Sequence, residues 1–322
     1  MVGAVLVYEN KIMGEGYHQQ YGEAHAEVNC INSVVKEDKP LIEKSTLYVS
    51  LEPCAHFGKT PPCADLIIKN KIPHVVIGCR DNYTEVNGKG IDKLKTAGVH
   101  VTTGILEKEA LELNKRFFTF HQKQRPYIIL KWAQSADGKI AGKKGERIFI
   151  SNEFTNRLVH QWRSEEAAIM VGTNTALKDN PALTTRLYPG KDPLRLVIDL
   201  NLRLPGSLQL FDGTVKTMVF NAQQHKEGEM LSFYKVNRNE KVIPQILKAL
   251  YSLKIQSVLI EGGATLLQSF IDDNLWDEAR IITNTTLAIT EGINAPVLRN
   301  EKILTKEIIL TDKIEHFTNN RQ

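Results

Sequence analysis

The sequence predicts two α/β domains in tandem, and three observations predict it. Its 322 residues exceed what one hydrophobic core usually organises. Apolar strand-like runs alternate with amphipathic helical stretches along the chain, the pattern of an α/β layer fold. That rhythm breaks at Arg125-Pro126, behind the charged helical stretch EKEALELNKRFFTFHQK at 107–123, and a fresh strand, YIILKWA, follows. The boundary therefore falls near 120–126, with domains expected at 1–122 and 125–322.

In the first half, VGAVLVY at 2–8 reads as a strand closed by a turn at Glu9-Asn10. Ala24, Val28, Ile31 and Val35 recur at i, i+4, i+7 and i+11, so 24–36 is an amphipathic helix. TLYVSL at 46–51 is a strand. Pro53 stands where a helix would start, which puts Cys54 in a first helical turn. A helix at 63–69, the strand HVVIGC at 74–79, a helix at 91–97 and a strand at 99–103 follow. In the second half, Asp137-Gly138 makes a tight turn after the first strand. Ser151-Asn152 caps a helix at 153–164 whose Phe154, Leu158 and Trp162 share a buried face. Strands are expected at 167–171, 194–199, 215–220, 257–260 and 279–283, with helices from about 174 and at 264–273. There is no internal repeat and no low-complexity tract.

Composition excludes several classes. A net charge of +4, from 41 basic and 37 acidic side chains, is too mild for a nucleic-acid binder. No apolar run is long enough to span a membrane. The apolar start lacks a basic segment and a cleavage site, so it reads as a strand rather than a signal peptide, and the cytoplasm is the expected compartment. The four cysteines, Cys30, Cys54, Cys63 and Cys79, all lie in the first quarter of the chain. A disulfide framework would not leave the remainder unstapled, so they point to metal or catalysis.

Three short pieces carry that chemistry: His25-Ala26-Glu27, Pro53-Cys54 and Pro62-Cys63. One imidazole and two thiolates suit zinc, and three protein ligands leave a fourth position for water. Zinc lowers the pKa of such a water to roughly 7, and Glu27, beside the ligands but not among them, can shuttle protons. Residues two apart do not share a helix face, so His25 and Glu27 converge only if they fan out at a first turn. A lone HAE or a lone cysteine would be a solvated histidine or a buried small hydrophobe. It is the ordered set, each cysteine at the mouth of a helix, that is specific. Cys30 and Cys79 read as core. Ile260-Glu261-Gly262-Gly263 ends a strand and opens a helix, where glycines let a backbone approach phosphate, though glycine pairs are common at strand ends.

The segment LEPCAHFGKTPPC, with KWAQSADGKIA, VGTNTALKDNPALTTR and IEGG, resembles the bifunctional riboflavin-pathway deaminase–reductase family, RibD or RibG. The resemblance spans nearly the whole chain. It implies a cytidine-deaminase-like three-layer domain followed by a dihydrofolate-reductase-like domain. The first would remove an amine from a diaminopyrimidinone bearing a phosphoribosylamino group. The second would reduce the ribosyl to a ribityl chain with NADPH. Carried over by motif, zinc falls on His25, Cys54 and Cys63, the proton shuttle on Glu27, and deaminase substrate contacts on His18, His56, Lys59 and Asp81. Reductase substrate contacts fall on Lys131, Arg147, Arg163, Leu183, Arg186 and Glu261, with Arg163 and Arg186 on the phosphate. Cofactor contacts fall on Gln134, Asp137, Gly138, Phe149, Thr175, Asp179, Gly262 and Gly263. The partner implied is a phosphoribosylaminopyrimidine, with no nucleic acid and no membrane, and the chain is expected to be a homo-oligomer, a dimer or a tetramer.

Two departures stand out. The family opens with a helix and an Asn-Pro turn, whereas Met1-Val2-Gly3 begins inside that turn. The deaminase domain is thus expected to lack its first helix and a substrate-contacting Asn, with Met1 an internal methionine. After Asp81 the family's Pro-Asn-Pro is replaced by Asn82-Tyr83-Thr84, and Gln134, Arg147 and Phe149 stand where relatives often have Ala, Ser and Trp. The rival readings are a reductase whose deaminase is crippled by its short start, a nucleic-acid deaminase, and a structural zinc module. The mild charge and attached reductase oppose the second. An open three-ligand set beside Glu27 opposes the third.

Overall fold

The computed structural model describes residues 2–19, 22–57, 61–81 and 88–321, which fall in two compact units, Met1–Lys123 and Gln124–Gln322. In the first unit β1 (Gly3–Tyr8) turns at Glu9-Asn10, both in the left-handed region, into β2 (Lys11–Tyr17). There follow α1 (Ala26–Ser33), β3 (Thr46–Leu51), α2 (Cys63–Lys69), β4 (His74–Cys79), α3 (Lys89–Thr96), β5 (His100–Thr103), α4 (Glu107–Leu113) and α5 (Lys115–Lys123). The sheet order is β2-β1-β3-β4-β5. β1 is antiparallel to both neighbours, and β3, β4 and β5 run parallel. The core joins Leu6, Leu47, Val75 and Ile77 of the sheet to Cys30, Ile67 and Leu94 of the helices.

β2 was not expected, because KIMGEGY lacks strand periodicity. Its glycines explain both the weak signal and the fold. A Cβ on Gly14 would lie 2.5 Å from the Cys30 carbonyl oxygen, and one on Gly16 2.3 Å from the Cys30 nitrogen. Helix α1 thus sits against bare backbone. The helix expected at Pro53 does not form, which corrects the placement of Cys54 in a first turn. Residues 52–57 are irregular. The Cys54 carbonyl accepts from Ala64 N at 3.1 Å and its sulfur from Cys63 N at 3.3 Å, so this stretch is bound to the start of α2 instead of coiling on itself. The stretch at 107–123 divides at buried Asn114, whose side chain donates back to the Ala110 carbonyl at 3.2 Å.

The second unit contains β6 (Tyr127–Ser135), β7 (Lys139–Gly142), α6 (Glu153–Glu165), β8 (Ala168–Gly172), α7 (Thr173–Asp179), β9 (Leu194–Ile198), β10 (Thr217–Asn221), β11 (Leu231–Lys235), α8 (Val242–Ser252), β12 (Ser257–Ile260), α9 (Ala264–Asp272), β13 (Glu278–Asn284), β14 (Gly292–Asn294), β15 (Glu301–Ile309) and β16 (Asp312–Asn319). Nine strands form one sheet in the order β11-β10-β9-β8-β12-β6-β13-β16-β15. All its pairings are parallel except those made by β16. Both faces are covered. Ile128, Leu130 and Trp132 point into one cluster with α8 and α9, and Tyr127 and Ile129 into another with Ala176 and Leu183. That double burial is why these strands read as continuous apolar runs.

Helix α8 and strands β7, β11, β14, β15 and β16 were missed. In α8, Pro244 masks a helix it can start, since the first turn needs no N–H there. In β15 the burial pattern is exposed at eight of nine positions, so no alternation marks it. On α6 the buried residues are Thr155, Val159, His160 and Trp162, while Phe154 is 51% exposed. The expected stripe of Phe154, Leu158 and Trp162 is therefore corrected by a rotation about the helix axis. Among the described residues no helix is long and apolar enough to cross a membrane.

Candidate functional sites

In the first unit His25 is the N-cap of α1, with extended backbone at ψ 165°, and Glu27 lies in the first turn. The change of direction at the cap lets both side chains reach one point. His25 Nδ1 stands 3.3 Å from Cys63 Sγ and 3.6 Å from Cys54 Sγ, and the three donor atoms lie within 4.8 Å of one another. Bonds of roughly 2.0 Å to nitrogen and 2.3 Å to sulfur around a tetrahedral ion require donor separations of roughly 3.5–3.8 Å, so the set fits zinc. A hydrogen bond from the Cys63 thiol draws the Cys54 thiol down to about 4, against the burial that raises it. Burial pushes the Glu27 carboxyl up. A carboxyl that holds its proton more tightly is suited to relay it.

Glu52, two residues before Cys54, is 4% exposed and accepts four backbone N–H bonds at 3.1–3.3 Å, from Asp81, Gly88, Gly90 and Ile91. It ties the end of β4 and the start of α3 to the cysteine-bearing segment. His18 packs edge-on to His25 with ring centroids 5.5 Å apart. His56 Nδ1 is shielded and has no hydrogen-bond partner among the described residues, and Asp81 is buried.

In the second unit two adjoining cavities open along α7 and the β12–α9 turn. One, of about 340 Å³, is lined by Lys131, Arg147, Phe149, His160, Arg163, Leu183, Arg186, Glu261 and Gly262 among others. The other, of about 570 Å³, is lined by Gly172, Thr173, Lys178, Asp199, Arg203 and Ala264 among others. They share Ile140, Ala141, Thr175, Asp179 and Gly263. Inside the smaller one, Arg163 grips Glu261 with Nε and Nη2 at 2.8 Å each and donates Nη1 to the Thr184 carbonyl at 3.1 Å. Lys131 Nζ is 3.7 Å from the same carboxylate. Burial would raise the Glu261 carboxyl, but Arg163 and Lys131 overcome it and hold it at about 2. Gly262 is required by proximity, since a Cβ there would meet Gly172 N at 3.2 Å and Val171 Cα at 3.4 Å. Gly263 N donates to Thr175 Oγ1 at 2.7 Å, which joins α7 to the start of α9.

A family model described as RibD C-terminal domain matches residues 126–288, and one described as cytidine and deoxycytidylate deaminase zinc-binding region matches 1–79. Riboflavin biosynthesis protein RibD of Aquifex aeolicus is 40% identical over 285 residues, covering 86% of this chain and 78% of that protein. RibD of Escherichia coli is 33% identical, covering 86% and 79%. The chain belongs to the RibD family. A crystal structure from Thermotoga maritima, described as a diaminohydroxyphosphoribosylaminopyrimidine deaminase/5-amino-6-(5-phosphoribosylamino)uracil reductase, superposes with a TM-score of 0.90 at 34% identity. It covers 99% of this chain and 91% of that one. The chain is accordingly an α/β deaminase–reductase of riboflavin biosynthesis, with a zinc-binding deaminase domain and an NADPH-dependent reductase domain.

Among the residues expected from the RibD resemblance, the structure brings His18, His25, Glu27, Cys54 and Cys63 together. It places Lys131, Arg147, Phe149, Arg163, Thr175, Asp179, Leu183, Arg186, Glu261, Gly262 and Gly263 around the smaller cavity. Lys59 and Tyr83 lie outside the described residues. Gln134, Asp137 and Gly138 line neither cavity. Gln134 accepts from Trp132 Nε1 at 2.8 Å and donates to Thr283 at 3.2 Å. The exposed Asp137 carboxylate accepts from Ser135, Ile289 and Thr290, and Gly138 takes φ +72° in the turn. Gln134 thus ties β6 to β13, and Asp137 and Gly138 shape the turn that follows β6. Sequence reading passed over Glu52, inside LEPC, and His160, on α6. Its only sequence signal was its spacing three residues before Arg163.

Proposed function

We propose that the first unit hydrolytically deaminates 2,5-diamino-6-(5-phosphoribosylamino)pyrimidin-4-one, and that the second reduces the product's ribosyl group to ribityl with NADPH. The observation that carries this is the convergence of His25, Cys54 and Cys63 beside buried Glu27, in one chain with a cavity ringed by Lys131, Arg163, Arg186 and Glu261. The Thermotoga relative's description names both reactions. The domains are assigned to 1–122 and 125–322.

In the deaminase, zinc on His25, Cys54 and Cys63 supplies Lewis acidity towards water when bound. Glu27 takes the proton that leaves the attacking water, gives it to the ring nitrogen and then serves the departing amine. His18, His56, Lys59 and Asp81 hold the heterocycle and phosphoribose, with Glu52 fixing Asp81. In the reductase, NADPH supplies the hydride. Thr175, Asp179, Phe149, Gly262 and Gly263 seat the cofactor, and Lys131, Arg147, Leu183 and Glu261 orient the ribosylamine; Arg163 anchors Glu261 and, with Arg186 facing it, offers its remaining donors to the phosphate. Positioning and charge supply most of the catalysis. The protein is a cytoplasmic homo-oligomer in this reading, and the exposed Ile303, Leu304 and Ile308 on edge strand β15 favour self-association.

The test is to supply the purified chain with the diaminopyrimidinone and to follow ammonia release and NADPH oxidation separately. Ammonia release should stop on zinc chelation, while oxidation of NADPH with the deaminated intermediate continues. NADPH oxidation without any ammonia release from zinc-loaded protein would leave the reductase-only reading in its place.

A further inference from the structure

His160 has no role in the mechanism above, yet it lines the smaller reductase cavity and is 4% exposed. Its Nδ1 is shielded and has no hydrogen-bond partner among the described residues. A buried polar atom left open costs stability, so such an atom in a ligand cavity is expected to be satisfied by the ligand. The charged groups that face it come from each element around it. Arg163 lies one turn on along α6, Arg186 follows the Thr184 segment, and Glu261 comes directly after β12, with Lys131 of β6 3.7 Å from its carboxylate. Glu261 is already neutralised by Arg163 and Lys131. The cavity walls carry Lys131, Arg147, Arg163 and Arg186 against Asp179 and Glu261, a surplus of positive charge that a phosphate dianion would balance.

We propose that His160 belongs to the subsite for the substrate's phosphate and takes up one proton from solvent as the phosphate docks. The new Nδ1–H then donates to a phosphate oxygen, so that the open acceptor becomes a charged donor. In the ligand-free protein, burial first, and then the charges of Arg163 and Arg186, hold the imidazole down at about 4 and therefore neutral. A dianion beside the two guanidinium groups cancels the part of that effect they cause and adds attraction of its own. Neutral His160 thus avoids a third cation in the ligand-free cavity and supplies one only when an anion arrives. The inference rests on the reading that the phosphate lies between Arg163 and Arg186.

The experiment is calorimetric titration of the full chain with ribose 5-phosphate at pH 7.5, where the probe is mostly dianionic, in two buffers of different ionisation enthalpy. Wild type should take up a substantial fraction of a proton per site. His160→Gln should bind about tenfold or more weakly and lose that uptake. Arg186→Gln should bind weakly as well. Wild-type binding without proton uptake, or equal uptake in His160→Gln, overturns the inference while leaving the phosphate placement standing. If Arg186→Gln binds as tightly as wild type, or ribose 5-phosphate does not bind at all, the phosphate placement itself fails and the inference with it. Because the wild-type heats alone decide the sign, a poorly folded variant does not spare the proposal.

Discussion

His25 and Cys63 are 38 residues apart in the chain and Arg163 and Glu261 are 98 apart, yet the larger contrast between the two sites is in residue type. The metal centre uses thiols and an imidazole, residues seldom clustered without a reason; His25 and Cys63 sit at helix starts, and Cys54, in an irregular stretch behind Pro53, is bonded to the start that Cys63 opens. The reductase cavity uses arginine, lysine and glutamate, common surface residues, here turned inward in a unit built on a nine-stranded sheet. A site of rare chemistry is thus announced locally, while a site of common charges is created by burial. The deaminase should therefore be broken by removing one chemical function, and the reductase by unbalancing buried charge.

The largest effect is expected at Glu27. Glu27→Gln keeps the side chain's size and leaves His25, Cys54 and Cys63 untouched, so zinc content by metal analysis should stay at one per chain. Deamination should fall by roughly 10²–10⁴-fold, the usual worth of a positioned acid–base group. Reductase turnover should not change. A variant that deaminates normally would show that another group moves the protons, and one that loses zinc would make Glu27 structural.

The second effect is one of stability. Glu261→Gln removes the countercharge of Arg163 and Lys131, whose side chains are only 12% and 13% exposed. Leaving buried cations unpaired costs roughly 3–5 kcal/mol, so chemical denaturation of the second unit should shift by about that much, with reductase activity lost. The pH signature has a definite sign. The Glu261 carboxyl lies at about 2 when folded, below its ordinary 4.5, so its stabilisation is present above 4.5 and lost as pH falls towards 2. The variant should lack that acid-dependent loss. An unchanged denaturation midpoint would mean that Arg163 and Lys131 find solvent or another partner, and the contrast drawn above would weaken.

Legibility followed the same division. The strands at 74–79 and 257–260 were plain in the sequence because buried parallel strands are continuous apolar runs, and the one at 46–51 because Leu47, Val49 and Leu51 alternate towards the core. Strand β15 was not, since nearly all of it faces solvent, and α8 was hidden by Pro244. The three metal ligands were legible as a set. Cys54 was misplaced onto a helix because hydrogen bonds to the start of α2, which are not visible in the sequence, outcompeted the helix that Pro53 suggests. Gln134, Asp137 and Gly138 were assigned to the cofactor by motif alone; they line neither cavity, Gln134 bonds Trp132 and Thr283 on the strands, and Asp137 holds the turn at Gly138. Glu52 and His160 were unreadable, because a buried carboxylate and a buried imidazole acquire their meaning from neighbours 29 or more positions away or from a cavity wall.

The smallest effect tests whether the frame of the reductase site can be loosened without disturbing its chemistry. Asn152 caps α6, the helix that carries His160 and Arg163; its Oδ1 accepts from Thr155 N at 3.0 Å and its Nδ2 donates to the Ile309 carbonyl at 2.8 Å. Asn152→Ala removes both bonds, and caps of this kind are worth about 1 kcal/mol and seldom more than 2. For a unit of this size each kcal/mol moves the melting temperature by roughly 2–4 °C, so the second unit should melt a few degrees lower and the first should not move. Reductase kcat/KM at 25 °C should stay within about a factor of two, because α6 is seated by the burial of Val159 and Trp162, and the bidentate Arg163–Glu261 pair fixes its far end. A much larger fall in kcat/KM well below the melting temperature would show that the cap, and not packing, sets the position of α6. The reductase site would then be held as locally as the metal centre, and the difference between the two would lie in residue type alone.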